Sequence, residues 1–430
     1  MSAGLLTSSA VPPRADELPR LLAGAATGPV GLAAHHERFG MLGLVDDPIE
    51  LAAAAGLLGR GGGAFPLARK LAAVQSAASR RGSAAVVVAN AAEGEPASIK
   101  DRVLLSQAPH LVLDGLRVAA AATGATTAYL FVRSDTVLVR AAAQALTERS
   151  ARRLDPVPVT LVQVAPRFIA GEESAVVHRL AGGDAIPTYT PDLVSERGVG
   201  GRPTLVSNVE TLAHLALAAR FGATWFRAVG TATAPGSMLV TVHRDGSPAG
   251  VREVAIGTRL SSLLPVTDSE AVLIGGYHGA WVSRSAAAQL RLDDDELAAV
   301  GASRGAGVLA VLPPDRCGVV ETARLLRYLA LESAGQCGPC LNGLPRIAVA
   351  MADLASGRAR PDVLGNLRRW AGLVVGRGAC HHPDGSVRLL ASALTAFGPE
   401  VEQHLAGRCS RPGGRPFLPT PGVSDLGALR

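Results

Sequence analysis

Between residues 46 and 230, short apolar runs alternate with stretches of helical period, and this alternation constrains the fold more than any other feature of the chain. The runs 84–89, 128–133 and 158–164 suit buried strands, and helical patterns occupy 101–122 and 135–148 between them. Alternation of this kind builds an α/β domain on a parallel sheet. In open sheets of that class, ligands bind just beyond the carboxyl ends of the strands. Polar loops that follow apolar runs are therefore the first places to look for chemistry.

The flanking regions read differently. Residues 1–45 are rich in Ala, Gly and Pro and are expected to form an irregular lead-in to the α/β domain of 46–230. The stretch 231–237, with Pro235 and Gly236, reads as a linker. Strand-like runs at 238–242 and 271–274 around a helical 260–264 suggest a small β-rich domain over 236–312. Residues 315–411 are helical throughout. Leu344, Ile347, Met351 and Leu354 share one face, as do Leu364, Leu367, Trp370 and Val374, and then Val387, Leu390, Leu394 and Phe397, with Pro361 and Pro399 where helices start. A helical bundle is the economical reading, and 412–430 is expected to be a tail.

Composition excludes several classes. No apolar run reaches the roughly 18 residues of a membrane span; the best, 116–132, is broken by Arg117, Gly124 and three threonines. Any membrane link must then come through a partner. The N-terminus lacks an early positive charge and a sustained apolar core, so a cytoplasmic protein is expected rather than a secreted one. The net charge is +6, with 40 arginines but only two lysines, Lys70 and Lys100. Fifteen aromatic residues, not interleaved with the basic ones, argue against nucleic-acid binding. Twelve arginines against eight acids fall between Asp315 and Arg411, net +4 of the whole, which fits a docking face for an acidic protein.

Four segments carry candidate chemistry. Gly59-Arg60-Gly61-Gly62-Gly63-Ala64-Phe65-Pro66, with Lys70 on the following helix, offers close backbone approach, inward N–H groups and a point charge for a phosphate. Asn90 to Pro96, including Glu93 and Glu95, follows a strand and is closed by Lys100. Gly171-Glu172-Glu173-Ser174 follows another strand and opens a helix. Residues 203–211, with Ser207, Asn208 and Thr211, open a further helix.

Cysteines form the last group. Cys337 and Cys340 have the Cys-x-x-Cys spacing of a metal or redox pair, and Cys380 is followed by His381 and His382. Zinc and an iron–sulfur cluster are both chemically sensible there. Cys317 and Cys409 read as buried thiols.

Taken in order, these segments resemble the NADH-binding flavoprotein subunit of respiratory complex I and its relatives in NAD-reducing hydrogenases and formate dehydrogenases, over about residues 50–408. The resemblance implies a Rossmann-like FMN-binding domain, a ubiquitin-like β-grasp domain of the SLBB type, and a C-terminal helical bundle with an iron–sulfur site. It implies that Gly59, Arg60, Gly61, Gly62 and Lys70 cradle the FMN phosphate and ribityl chain, with Asn90, Ser207, Asn208 and Thr211 adding hydrogen bonds. Glu93, Glu95, Glu172, Glu173 and the Gly171 backbone would line the isoalloxazine and nicotinamide end, with Glu93, Glu95 and Glu173 as the catalytic set. Phe65 would stack in the nucleotide pocket. Hydride from NAD(P)H would leave as single electrons through a cluster on Cys337, Cys340 and Cys380 to a ferredoxin-like, acidic iron–sulfur partner.

The chain also departs from that family. Ala92 stands where the family carries an aspartate, and Thr190 and Leu193 where it carries a basic residue and a phenylalanine. Ala334 replaces the first cysteine of Cys-Gly-Gln-Cys-x-Pro-Cys. The three remaining thiols leave open a [3Fe-4S] cluster, a [4Fe-4S] cluster completed by water, His381 or His382, or no cluster at all. The same departures motivate an alternative: a non-catalytic subunit of this fold serving as a scaffold in a redox complex.

Overall fold

In this computed structural model, which describes residues 14–23, 30–244, 250–264, 269–412 and 415–423, helices α1 (Leu32–Phe39), α2 (Pro48–Ala55) and α3 (Leu67–Arg81) precede strand β1 (Ala85–Ala91). Helices α4 (Lys100–Gln107) and α5 (Pro109–Thr123) lead to β2 (Ala125–Arg133), and α6 (Thr136–Ala151) leads to β3 (Val159–Val164). After α7 (Glu173–Leu180) comes β4 (Thr204–Asn208), from which α8 (Val209–Arg227) continues directly. The expected helix over 101–122 is two helices. Pro109 has no N–H to continue the first and a backbone suited to starting the second.

The four strands are parallel, in the order β3-β2-β1-β4. Both faces of β1 are covered. Val87 and Ala89 pack into one core with residues of α3, α5 and α8, whereas Val86 and Val88 pack into another with Ala170, Val176 and Val206. An unbroken apolar run is what such a strand requires. From β1 the chain builds outward to β2 and β3, then crosses back to place β4 on the other side of β1. The crevice past the ends of β1 and β4 is therefore the switch point of the sheet, where Asn90 and Asn208 lie in register.

The lead-in is more ordered than expected. His35 of α1 lies 2.7 Å from Asp114, whose other oxygen accepts from Arg149 at 2.8 Å; Arg220 completes the buried cluster. Arg20 is buried over the Trp225 ring at 4.0 Å and donates to the Trp225 and Phe226 carbonyls. The Glu253 carboxylate accepts from the N–H groups of Arg20, Leu21 and Leu22. Residues 1–13 and 24–29 of the lead-in lie outside the described residues.

A second sheet follows, of β5 (Ser237–His243), β6 (Gly250–Ala255), β7 (Ala271–Ile274), β8 (Ala280–Ser283) and β9 (Val308–Val311), with short helices α9 (Leu260–Leu263), α10 (Arg284–Ala287) and α11 (Asp294–Ala298). Its order is β6-β5-β9-β7-β8; β5 and β9 are parallel and the other pairs antiparallel. The stretch before it is a packed turn rather than a loose linker. Residues 234–237 are buried, and a Cβ at Gly236 would lie 2.4 Å from the Phe226 ring.

Helices α12 (Gly318–Leu331), α13 (Leu344–Ala355), α14 (Val363–Val374), α15 (His382–Ala396) and α16 (Gly398–Leu405) form the bundle. The expected α13 face is buried throughout. On α14 the buried stripe is Val363, Leu367 and Val374, with Leu364 and Trp370 at its edge. One face of the second sheet joins this core through Leu273, Tyr277 and Trp281. The segment 415–423 is a strap rather than a free tail: Leu418 is buried and its N–H donates to Glu321 at 2.8 Å, while Tyr277 donates its hydroxyl to the Pro419 carbonyl. Residues 413–414 and 424–430 lie outside the described residues. Among the described residues no helix is long and apolar enough to cross a membrane.

Candidate functional site

The glycine loop lies against the crevice from the side of α3. Gly59 N–H donates to the Phe65 carbonyl and Arg60 N–H to Thr211 Oγ1, closing the loop at its base. Among the described residues, the N–H groups of Gly61, Gly62 and Gly63 have no protein acceptor. Gly62 has φ +109°, and a Cβ on Gly63 would meet nothing within 4 Å. Free amides around open space suit an anionic oxygen. Lys70, on the first turn of α3, donates to the Val206 carbonyl at 2.6 Å and pairs with Glu173 across the crevice.

Arg60 corrects the sequence reading. Its side chain is buried and turned away from the loop, donating to the carbonyls of Leu58 (3.0 Å), Ser237 (3.1 Å) and Pro235 (3.2 Å). With all three nitrogens engaged it anchors the second sheet and is not free to hold a phosphate. Burial lowers its pKa to about 10, which leaves it protonated at neutral pH. Thr211 likewise serves the loop base through Arg60 N–H.

Beneath the crevice lies a buried charge cluster. Lys100 Nζ sits 2.7 Å from Asp101, 2.9 Å from Glu210 and 3.3 Å from Asn208 Oδ1, and Asn208 Nδ2 donates to Asp101 at 2.7 Å. Burial alone would lower the Lys100 pKa, but the two carboxylates outweigh it and hold the ammonium above its ordinary value. The cluster fixes the Asn208 side chain at the end of β4. Glu210 also accepts from Leu239 N–H of β5 at 2.8 Å, tying the floor to the second sheet. Sequence reasoning put Lys100 at the close of a candidate segment but gave no role to Lys100, Asp101 or Glu210; the signal was that Lys100 is one of only two lysines. Ser207 is buried at the same strand end.

The loop after β1 is braced from two sides. Asn90 Nδ2 donates to the Gly171 carbonyl at 2.9 Å, and a Cβ on Gly94 would fall 2.1 Å from the Phe168 carbonyl oxygen. Glu93, at φ +37°, accepts from Ser98 and from the N–H groups of Asp101 and Arg102, capping α4. Glu95 accepts from Ala97 N–H and from Tyr277 N–H of the β7–β8 turn. Burial pushes both carboxyls up to about 7, with Asp101 adding to the rise at Glu93. Glu172 caps α7 by accepting from Ser174 and Ala175. Glu173 is the half-exposed partner of Lys70. Three of the four glutamates thus have structural hydrogen bonds. Phe65 is half-exposed beneath the Arg69 guanidinium. Leu193 and Tyr189 are both exposed in the 189–193 loop, and Tyr189 is an aromatic that sequence reasoning passed over.

The cysteine site lies one segment away. The Phe168 N–H donates to Glu332 at 2.8 Å, Arg167 reaches the Ser333 carbonyl, and the Phe168 ring packs among Tyr277, His278, Tyr328 and His382. Cys337 and Cys340 interact through their thiols, and both act electrostatically on Cys380, as does Glu172. Backbone N–H groups of Ala334 and Gly335 point at Cys340, those of Ala379 and Cys340 at Cys337, and that of His382 at Cys380. Burial pushes Cys380 up to about 11, whereas at Cys337 the donors outweigh burial and lower it. The donors at Cys337 favour its thiolate, the form in which a cysteine binds metal. His382 is not available to complete a cluster. Its Nε2 lies 2.8 Å from the Leu329 carbonyl, its Nδ1 is 3.1 Å from His278, and burial holds it near 4, neutral. His381 is exposed beside Asp384.

Residues 52–217 fit the model of the Nuo51 FMN-binding domain, and 321–404 that of the NADH-ubiquinone oxidoreductase-F iron–sulfur binding region. The chain is 30% identical to the second NADH-quinone oxidoreductase F subunit of Rhizobium meliloti (strain 1021), covering 84% of this chain and 90% of that one. It is 28% identical to the NADH-quinone oxidoreductase F subunit of Streptomyces coelicolor, with coverage of 87% and 85%. Among solved structures it is similar to an NAD+-reducing [NiFe]-hydrogenase, with a TM-score of 0.77 and 29% identity in the H2-reduced state and 0.79 and 27% in the air-oxidized state. The match covers 83% and 95% of this chain in the two states, and spans 62% and 69% of the hydrogenase chain.

Proposed function

The chain belongs to the family of NADH-quinone oxidoreductase F subunits, and from that premise we propose that it is an FMN-dependent oxidoreductase that takes hydride from NAD(P)H and passes single electrons to an iron–sulfur partner protein. The observation that carries the reading is the shared loop 167–173, which braces the crevice through Gly171 and meets the cysteine site through Phe168 and Glu172.

When bound, FMN supplies the conversion between two-electron and one-electron transfer, and the cluster the outlet. The chain's own residues position these groups. Gly61, Gly62 and Gly63, with the Lys70 ammonium, would hold the phosphate, and Gly59, whose N–H is bonded to the Phe65 carbonyl, would close the loop beneath it; Asn90, Ser207 and Asn208 would hydrogen-bond the ribityl chain. Gly171, Glu172 and Glu173 would border the flavin ring, and Glu93 and Glu95, whose carboxyls burial raises to about 7, would be the groups able to hold or release a proton near it. Cys337, Cys340 and Cys380 would ligate the cluster, with water or the exposed His381 as the remaining ligand where four irons are bound. Phe65, with Tyr189 nearby in sequence to Thr190 and Leu193, would border the nucleotide.

Three domains divide this work: an FMN/NADH-binding domain at 46–230, a second at 236–312 and an iron–sulfur domain at 315–411. The second-sheet order, with its first and last strands parallel at the centre, supports the ubiquitin-like β-grasp of SLBB type. The net positive charge of the last domain supports an acidic, ferredoxin-like acceptor. Anaerobic NADH titration of the FMN-loaded protein tests the function. Bleaching of the flavin absorption is expected; tight flavin binding without bleaching would instead favour the scaffold reading drawn from Ala92 and Ala334.

A further inference from the structure

Cys317 and Cys409 have no part in the flavin crevice or the cysteine trio, yet the fold brings them together. Cys317 is the N-cap residue of α12; Glu400 and His404 lie one turn apart on α16; Cys409 follows that helix. Cys317 Sγ is 3.3 Å from His404 Nε2 and 3.6 Å from Glu400 Oε1, and those two atoms are 3.4 Å apart. One ligand atom from each of the four residues lies within 4.8 Å of every other. A tetrahedral zinc ion, with bonds of about 2.0–2.3 Å, has ligand-to-ligand edges of about 3.3–3.8 Å. The three separations among Cys317, Glu400 and His404 are edges of that length.

Charge favours a cation there. Cys317, Glu400 and His404 are all at most 5% exposed. In a chain rich in arginine, the Glu400 carboxylate has no Arg or Lys ion-pair partner among the described residues; Arg411, next to Ser410, pairs with Glu270 instead. Ser410 N–H and Oγ donate to Glu400 and fix its orientation toward the cluster. Two thiols, an imidazole and a carboxylate form a borderline-soft donor set, and buried carboxylates of this kind are paired or bind metal.

We propose that Cys317, Glu400, His404 and Cys409 form a structural zinc site that fastens the end of the bundle to the start of α12. Loading replaces the two thiol protons with one Zn2+, binds neutral His404 and ionised Glu400, and releases two protons to solvent. The site then carries one net negative charge. No electrons are exchanged, so this site is independent of flavin and iron.

The test is metal analysis of the full-length protein purified from zinc-supplemented cells, with iron measured on the same samples. About one zinc per chain is expected. His404→Gln and Cys409→Ser should each remove most of it, whereas Cys337→Ser with Cys340→Ser should remove iron and spare zinc. Cobalt exchange into the unmodified protein guards against variants that fail to fold; it should give thiolate-to-cobalt charge-transfer bands and the intense visible bands of a tetrahedral site. Zinc that stays in the His404→Gln and Cys409→Ser proteins, or leaves with the Cys337 and Cys340 thiols, overturns the proposal. So does a Cys317–Cys409 disulfide in the purified protein, or a wild-type chain that takes up neither zinc nor cobalt.

Discussion

Replacing Arg60 by alanine separates two roles for one residue. A phosphate-binding arginine would lose flavin affinity and leave the fold intact. The buried guanidinium instead holds the Leu58, Pro235 and Ser237 carbonyls. Arg60→Ala strands at least the last two, which are buried, at about 1–3 kcal/mol each. The vacated volume adds about 1–2 kcal/mol, since cavities cost about 24 cal/mol per Å3. Relief of the buried charge and entry of water offset part of this, leaving a net loss of about 3–5 kcal/mol. Urea unfolding followed by tryptophan fluorescence measures it directly, because Trp225 belongs to the same core. FMN titration is done in parallel below the unfolding transition, where affinity should change less than about threefold, under about 0.7 kcal/mol. A loss of stability under about 1 kcal/mol, together with a tenfold or greater fall in FMN affinity (about 1.4 kcal/mol), would refute the anchoring role.

Other substitutions probe the crevice and the sulfur site. The Glu95 carboxyl is raised to about 7 from 4.5, so the folded chain holds its proton where the unfolded one has lost it. Its stabilising contribution is present below pH 4.5 and declines as pH rises through 7; wild-type stability minus that of Glu95→Gln should therefore fall by up to about 3 kcal/mol between pH 5 and pH 8. A flat difference in thermal melts would contradict the burial argument. Gly63→Ala faces open space and should leave stability within about 0.5 kcal/mol, yet weaken FMN tenfold or more in a fluorescence titration. Gly94→Ala, by contrast, drives a methyl into the Phe168 carbonyl and should cost at least about 2 kcal/mol. Unaltered melting of the Gly94 variant, or unaltered FMN binding by the Gly63 variant, would count against the loop assignments. If the three thiols hold a [3Fe-4S] cluster, Ala334→Cys should raise iron from about three to about four atoms per chain and abolish paramagnetism of the oxidised cluster; a variant that stays at about three irons would argue that residue 334 does not face the cluster.

The parallel sheet was legible because strands covered on both faces must be apolar throughout, and 84–89, 128–133 and 158–164 all lie within or beside observed strands. β4 was not, since five residues running straight into α8 give too short a signal. The glycine loop and the spacing of Cys337, Cys340 and Cys380 stand out in the sequence as motifs. The direction of Arg60 does not, because its acceptors are backbone carbonyls as many as 177 residues away, and carbonyls leave no mark on a sequence. Glu93 is similar: nothing in Glu-Gly-Glu says that the first carboxylate will cap a helix. Cys317 and His404, 87 residues apart, meet only because the bundle folds back on its own first turn. The Pro- and Gly-rich ends misled in the opposite direction. Arg20 and Leu418 are buried by distant partners, Trp225 and Glu321, that local composition cannot reveal.

The pairing of β1 with β4 has a consequence for synthesis. Val86 lies beside Thr204, and the Lys100 cluster needs Glu210, so one wall of the crevice leaves the ribosome long after the other. A nascent chain that has emerged only through β3 has a glycine loop but no opposing strand to complete its pocket. Cofactor capture then falls late, after the crossover has closed, and a stalled or truncated chain of that length is left as apoprotein with an exposed edge on β1. Free edges of that kind recruit other strands, so a chain halted between β1 and β4 carries an aggregation liability that the β1–β4 pairing removes.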